Sequence, residues 1–254
     1  VGSLSVYGVL LAGWASGNKY ALLGALRGTS QMISYEIAMG LSLIGTLLVY
    51  KTFSLTEMVA VQEGAMRFLW MGKNVVVPWL PNWGVFYQPV AFILFVTAAF
   101  AETNRMPFDL PEGEAELVAG YHTEYGGFKF NMFFMAEYGH MITSSAIIAT
   151  LFFGGFTVPW VTADQVLQFC IAHAGGLADL LRLSVAETAT IMAFLIHLLS
   201  FCVKTGFWLF VFIWIRWTVP RFRYDQLMDL GWKTLLPWAL VNLAITTVVM
   251  YLAH

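Results

Sequence analysis

Apolar residues occupy this chain in runs longer than the core of a soluble domain requires. A helix that crosses a bilayer takes about 20 predominantly apolar residues. Five stretches come up to that length, over 30–50, 83–101, 128–153, 190–215 and 236–252. A sixth, 1–16, is apolar but too short to span alone. It lacks an initiating methionine and the basic flank and cleavage site of a secretory signal, so it reads as the tail of a helix that begins earlier in a longer protein. Polar residues gather between the runs. Ser54 and Glu57, and again Ser184 and Glu187, have the spacing of a capping box, in which Glu three residues into a helix bonds back to the cap. The first pair predicts a short interfacial helix and the second the start of the span that follows. Gly154, Gly155 and Pro159 predict the end of the span before them. With no internal repeat or low-complexity segment, the pattern predicts an all-α, polytopic transmembrane helix bundle. It has about six spans in one domain over 1–254, with an inner-side connection at 102–128 and outer-side connections at 51–82 and 154–189.

Composition supports this class. The 254 residues are 59% hydrophobic and 11% charged, and the mean hydropathy is +0.72, whereas soluble domains carry nearer a quarter charged residues. The basic residues divide unevenly. Lys19, Arg27, Arg105, Lys129, Arg216, Arg221, Arg223 and Lys233 fall on one side of the predicted spans, and Lys51, Arg67, Lys73 and Arg182 on the other. The richer side is expected to face the cytoplasm or matrix. No basic stripe or nucleic-acid module is present, which excludes nucleic acid as a partner. Cys170 and Cys202 lack metal-ligand spacing, and Cys202, inside an apolar run, is expected to be a packed thiol.

The carboxylates are concentrated. Glu102, Asp109, Glu112, Glu114, Glu116 and Glu124 are six of fifteen, and all lie in the one connection 102–128. Like charges close together repel, and beside a low-dielectric wall their proton affinity rises, so such a cluster is a candidate for proton or cation handling. A solvated acidic face is the plainer alternative. Glu102 lies at the end of its span with Arg105 near enough in sequence to offset it. Met106-Pro107 is expected to break the helix. Asp109 then caps a short helix that places Glu112 and Glu116 on one face and ends at Gly120.

A few polar residues fall inside the spans. Glu36 and Glu137 are costly there and should face protein or water, not lipid; the alternative for Glu36 is a neutral, hydrogen-bonded packing residue. Counting from Phe128 at 1.5 Å per residue, Glu137 lies about 13 Å deep. Glu137 and His140 have the spacing of half a di-iron site, but the chain offers no second such pair, so no metal is expected. His197 and Lys204, seven apart, share a helix face. Lys204 is expected to line a wet path or to hold helices together through a carboxylate, and His197 to be a packing residue.

The stretch Ala101-Glu-Thr-Asn-Arg-Met-Pro-Phe-Asp-Leu-Pro-Glu-Gly-Glu-Ala-Glu-Leu-Val-Ala-Gly-Tyr-His-Thr-Glu-Tyr125 resembles the signature loop of a known family. That family is the quinone-site membrane subunit of respiratory complex I (NADH-quinone oxidoreductase), called NADH dehydrogenase subunit 1 in mitochondria. Ser34-Tyr-Glu36, Met135-Ala-Glu-Tyr138, Gly13 to Tyr20 with Arg27, and Trp214 to Leu227 agree with it, so the resemblance covers the whole chain. It implies spans three to eight of an eight-span protein, with the family's basic, Gly/Pro-rich first part outside this sequence. It further implies that Glu102, Arg105, Asp109, Glu112, Glu116 and Glu124 line a quinone chamber and an acidic funnel. Glu36, Glu102, Glu137 and Lys204 are then a proton relay, and Arg216, Arg221, Arg223 and Asp225 an inner loop that docks peripheral subunits. Quinone is implied as the bound substrate, with flavin and Fe–S clusters on partner subunits. Those partners are peripheral Fe–S subunits against 102–128 and 216–233, and antiporter-like membrane subunits laterally. The implied location is the bacterial inner membrane, with the mitochondrial inner membrane as alternative. Two other readings stay open: a homologous membrane subunit of an energy-converting hydrogenase or other-donor complex, and, in another class, a stand-alone ion transporter. A membrane anchor for a peripheral enzyme is a third.

Overall fold

A computed structural model describes residues 4–70, 73–109, 120–175 and 184–252. Most of it is helix. In chain order the elements are α1 (Leu4–Ala15), α2 (Lys19–Tyr50), α3 (Leu55–Val61), β1 (Ala65–Trp70), β2 (Lys73–Pro81), α4 (Gly84–Tyr87), α5 (Pro89–Glu102), a 3-10 turn (Gly120–His122), α6 (Phe128–Phe152), α7 (Ala163–His173), α8 (Val185–Thr218) and α9 (Tyr224–Asp229). A π-helical segment, Leu230–Leu235, joins α9 to α10 (Leu236–Leu252). Two compact units can be distinguished, one made of 1–49, 90–144 and 209–254, the other of 50–89 and 145–208.

Three helical stretches are long and apolar enough to cross a membrane, 19–50, 185–218 and 224–252. Much of their apolar surface is exposed: only 17% of the apolar window in α8 is buried, and Phe194, Leu198, Phe207, Phe210 and Trp217 are exposed along it. Cys202 on this helix is exposed too, while Cys170 is buried. The expected packed thiol is therefore corrected, because an apolar run need not point every residue inward. The 25-residue α6 is long enough to cross, but Lys129, Glu137 and His140 dilute its hydropathy. The run over 83–101 divides, because Gln88 precedes Pro89 and leaves helical geometry (φ −133°, ψ 61°). Pro89 then opens the 14-residue α5 at the position where a missing N–H costs nothing.

In the first unit, α2 runs back to Lys19, eleven residues before the expected start, because Asn18 caps it: the Tyr20 N–H donates to Asn18 Oδ1 at 3.0 Å. Small residues let α1 approach α2. A Cβ on Gly13 would lie 2.3 Å from that of Ala25. Gly231 has the same function where the π segment meets α2, since a Cβ there would fall 2.4 Å from Ser34 Oγ. The π register precedes Pro237, which cannot donate to the carbonyl four residues back, so the widened turn absorbs the missing bond.

In the second unit, the connection expected as an outer loop over 51–82 holds α3 and an antiparallel hairpin, with Met66 opposite Val77 and Trp70 opposite Lys73. α3 begins after Ser54 as expected, but the capping box does not form: the Glu57 carboxylate is taken by the Thr52 hydroxyl instead. At the other box, Ser184 N–H and Oγ both donate to Glu187 Oε2, at 3.0 and 2.7 Å, and α8 begins at the next residue. Buried Gln62 ties this unit together. It donates to the Thr150 carbonyl at 3.0 Å and accepts from the N–H groups of Gly84 and Gly154 at 3.1 and 3.0 Å. α6 ends at Phe152, followed by Gly154 and Gly155 at φ +71° and +49°, the left-handed exit that glycine permits.

Candidate functional site

The site in the first unit starts where α5 stops. The helix ends at Glu102, and Asn104 adopts φ +49°, which turns the chain sharply before Arg105. Met106-Pro107 is a cis peptide, and the helix ends four residues before Met106, earlier than the proline rule expects. Gln31 of α2, fully buried, clamps both ends of this bend by donating from Nε2 to the carbonyls of Ala101 and Phe108, each at 2.8 Å. The Phe108 ring sits against Tyr35 and stacks on Phe222, with centroids 5.9 and 5.4 Å apart. Phe222 also donates its N–H to the Pro107 carbonyl at 3.1 Å. α2 and the segment before α9 therefore hold 102–109 in one conformation.

That conformation puts charge in the interior. Arg105 is 6% exposed, and its Nε lies 2.6 Å from Oε1 of Glu137 on α6. The contact is an ion pair and not a well-aligned hydrogen bond, and the guanidinium also lies over the Tyr138 ring, 4.3 Å from its centroid. Arg216, near the end of α8, acts on the same phenol. Arg216 also shares with Asn104, Arg105, Asp109 and Glu137 a cavity of about 150 Å³. Asp109 Oδ2 accepts from Arg221 Nη2 at 3.1 Å. Beside this cluster, Glu102 Oε1 lies 3.5 Å from His140 Nε2. Glu102, Glu137 and His140 form the polar side of a second cavity of about 250 Å³, whose apolar side includes Val9, Met32 and Phe133.

The expected offset of Glu102 by Arg105 is thus corrected. The turn at Asn104 sends the guanidinium to Glu137, and the imidazole takes Glu102. A buried ion pair holds because each charge lacks water; removing one member costs on the order of 3–5 kcal/mol. Glu36, half-buried on α2, does not line either cavity. Glu124 is exposed and accepts from Asn18 Nδ2 at 2.9 Å. Glu112, Glu114 and Glu116, with the short helix expected there, lie outside the described residues. Of the basic loop, Arg216 and Arg221 turn toward the acids, while Arg223 and Asp225 pair at 3.1 Å on the surface, their side chains 78% and 72% exposed. Among the described residues no group of three His, Cys, Asp or Glu could hold a metal ion.

Lys204 belongs to the second unit. Its ammonium donates to the carbonyls of Gly155 and Thr157 at 3.0 and 2.6 Å and lies 5.7 Å from the Trp83 ring centroid. Ser200 donates to the Thr157 carbonyl at 3.0 Å, and His197 Nδ1 lies 3.1 Å from the Phe156 carbonyl. The shared face of His197 and Lys204 is as expected, and His197 is a packing residue. Where a carboxylate was one expected partner of Lys204, backbone carbonyls of the turn after α6 take the charge.

Sequence reasoning missed Gln31 and the pairing of His140. The first had a weak signal, an amide one turn before Tyr35 among the polar residues Thr29, Ser30 and Ser34 at the start of a predicted span. The second had half of one, since their spacing puts Glu137 and His140 on one helix face.

Residues 1–247 match the family model described as NADH dehydrogenase. The chain belongs to the NADH dehydrogenase family. It is 56% identical over 253 residues to the H subunit of the NADH-quinone oxidoreductase of Bdellovibrio bacteriovorus, covering 100% of this chain and 63% of that protein. The protein of the same name from Flavobacterium psychrophilum is 46% identical over 98% of this chain and 62% of its own length. The NADH-quinone oxidoreductase subunit 8 of Rhodothermus marinus is 45% identical over 94% and 62%. The chain therefore spans less than two thirds of the length of these relatives. For this NADH dehydrogenase family member the match takes in both the acid cluster and the turn that holds Lys204.

Proposed function

We propose that the chain is the membrane subunit of a proton-pumping NADH:quinone oxidoreductase, and that its buried acid–base cluster couples quinone reduction to proton movement. The observation that carries this is the placement of Arg105 against Glu137 beside the Glu102–His140 pair, in a fold whose other helices are apolar. Such an arrangement has groups able to change charge in a low-dielectric setting, as coupling requires. The names of the relatives, NADH-quinone oxidoreductase subunits, agree with it.

The cavity beside Glu102 fits part of a quinone. Its polar side offers carboxyl and imidazole groups and its far side is apolar, but about 250 Å³ is below the roughly 300–1,000 Å³ of a complete small-molecule site. The chain thus supplies one wall of a chamber, with peripheral Fe–S subunits as the other, docked through 216–233 where Arg223 and Asp225 are exposed. Quinone supplies a two-electron acceptor that takes up two protons. Glu102 and His140 offer groups able to exchange a proton at the wall, and Arg105 holds Glu137 in place by its charge. Asp109 anchors the loop through Arg221, while Glu112 and Glu116 continue the acidic funnel and Glu124 stands at its exposed mouth. Glu36 and Glu137 pass the electrostatic change laterally, toward antiporter-like subunits. Lys204, with its charge taken by two carbonyls, is assigned to hold the 154–157 turn in place of a relay role. The bacterial inner membrane is the proposed location.

The test is Glu102→Gln in the intact complex, assayed for NADH:quinone reduction and for NADH oxidation with an artificial acceptor. Loss of the quinone reaction by about tenfold or more, with the artificial reaction kept, is the expected result. Full quinone turnover coupled to proton pumping in that variant would remove the cluster from coupling.

A further inference from the structure

We propose that His140 is the proton-exchange partner of Glu102, so that the two share one proton and load the cavity wall through the imidazole. This rests on the function proposed above. Two ion pairs lie side by side in the cluster, with Arg216 at the neighbouring cavity. Glu137 has the Arg105 guanidinium at 2.6 Å. For Glu102, whose side chain is 10% exposed, the partner is the His140 imidazole at 3.5 Å. A buried carboxylate without a cation is expensive, and imidazole is the one side chain whose ordinary titration, near pH ~6.5, can supply or withhold that cation at neutral pH.

The pair therefore has two forms of equal net charge, carboxylate with imidazolium or carboxylic acid with neutral imidazole. Removing the shared proton leaves a net negative charge in the interior, and adding another leaves a net positive one. Both leave an uncompensated charge beside apolar helices, which is costly. Passing between the two balanced forms breaks the Nε2–H bond of His140 and makes an O–H bond on Oε1 of Glu102. The N–H electron pair stays on the ring, and no charge enters or leaves.

The surroundings fit this role. His140 is the more accessible member, its side chain 34% exposed against 10% for Glu102. The proton thus enters at the imidazole and is presented by the carboxyl. The groups facing the imidazole across the cavity are Glu102 from α5, Asn104 from the bend, Tyr121 from the 3-10 turn and, one turn away on its own helix, Glu137 with its Arg105. α1 and α2 bring Gly8, Val9 and Met32 to the same cavity, none of them titratable. The separation exceeds a formed hydrogen bond by a few tenths of an ångström, a gap that closes readily when a site is engaged.

The test uses the assembled complex carrying His140→Gln or His140→Asn, with Glu102→Gln in parallel. Quinone reduction is measured from about pH 5.5 to 8.5, a window that brackets the imidazole range, and NADH oxidation by an artificial acceptor reports assembly. Wild type should lose quinone turnover as pH rises through the imidazole range and the shared proton is lost. Both His140 variants should be flat across that window and slower by about tenfold at its acid end. If Glu102→Gln lowers the quinone reaction while the His140 profiles superimpose on wild type, the proton couple is overturned and the proposed function stands. If neither substitution changes the quinone reaction, the proposed function fails and the couple with it.

Discussion

Each of the two units holds a cation among apolar helices, buried in the first and half-buried in the second, and satisfies it by opposite means. In the first, Arg105 meets a carboxylate, Glu137, with Tyr138 under the guanidinium. In the second, Lys204 meets the carbonyls of Gly155 and Thr157, with Trp83 nearby. Carbonyls are fixed dipoles, so an ammonium bound to them is anchored and its surroundings keep their charge. A carboxylate can take a proton, so the charge balance around Arg105 can change while the fold stays the same. Chemistry is therefore expected at Arg105, and stability at Lys204.

The comparison breaks first at Arg105. Arg105→Met takes from Glu137 the guanidinium at 2.6 Å and is expected to cost about 3–5 kcal/mol. Quinone reduction should be lost and the heat inactivation of the purified complex should move to lower temperature. If both are unchanged, Glu137 is held by something other than this pair. Lys204→Met removes two charged hydrogen bonds, leaving the Gly155 carbonyl without the ammonium and the Thr157 carbonyl with Ser200 alone, at an expected cost of about 2 kcal/mol. The inactivation temperature should fall while quinone turnover at low temperature stays within about twofold of wild type. Lost turnover with unchanged stability would return Lys204 to the relay. The smallest effect belongs to Glu124→Gln, which weakens one exposed bond to Asn18 and should cost about 0.5 kcal/mol. A large loss of quinone reduction there would mean that partner subunits bury this acid in the assembled chamber.

The helices are legible wherever one local rule decides them. Long apolar runs mark α2, α6, α8 and α10, and the glycine pair marks the end of α6. Ser184 and Glu187 form their box with no competing donor taking the carboxylate. Ser54 and Glu57 fail because Thr52, two residues before the cap, takes it. The hairpin escapes sequence reasoning although Val75, Val76 and Val77 are good strand residues, since no tight-turn dipeptide announces it. The candidate acids are legible as well, because a carboxylate in or beside an apolar span is costly enough to stand out in a sequence.

The partners of those acids are not. Glu102 and Arg105 are three apart, and proximity along the chain favours joining them. A left-handed residue between them and a glutamine reaching from α2 give Arg105 to Glu137, 32 positions on, and Glu102 to His140. By itself the sequence determined which residues are too polar for their surroundings, because transfer from water is a property of the side chain and its immediate neighbours. Only the tertiary structure decided which of them compensate each other, because that depends on where the ends of separate helices are brought, and on directions that one turn of backbone can reverse.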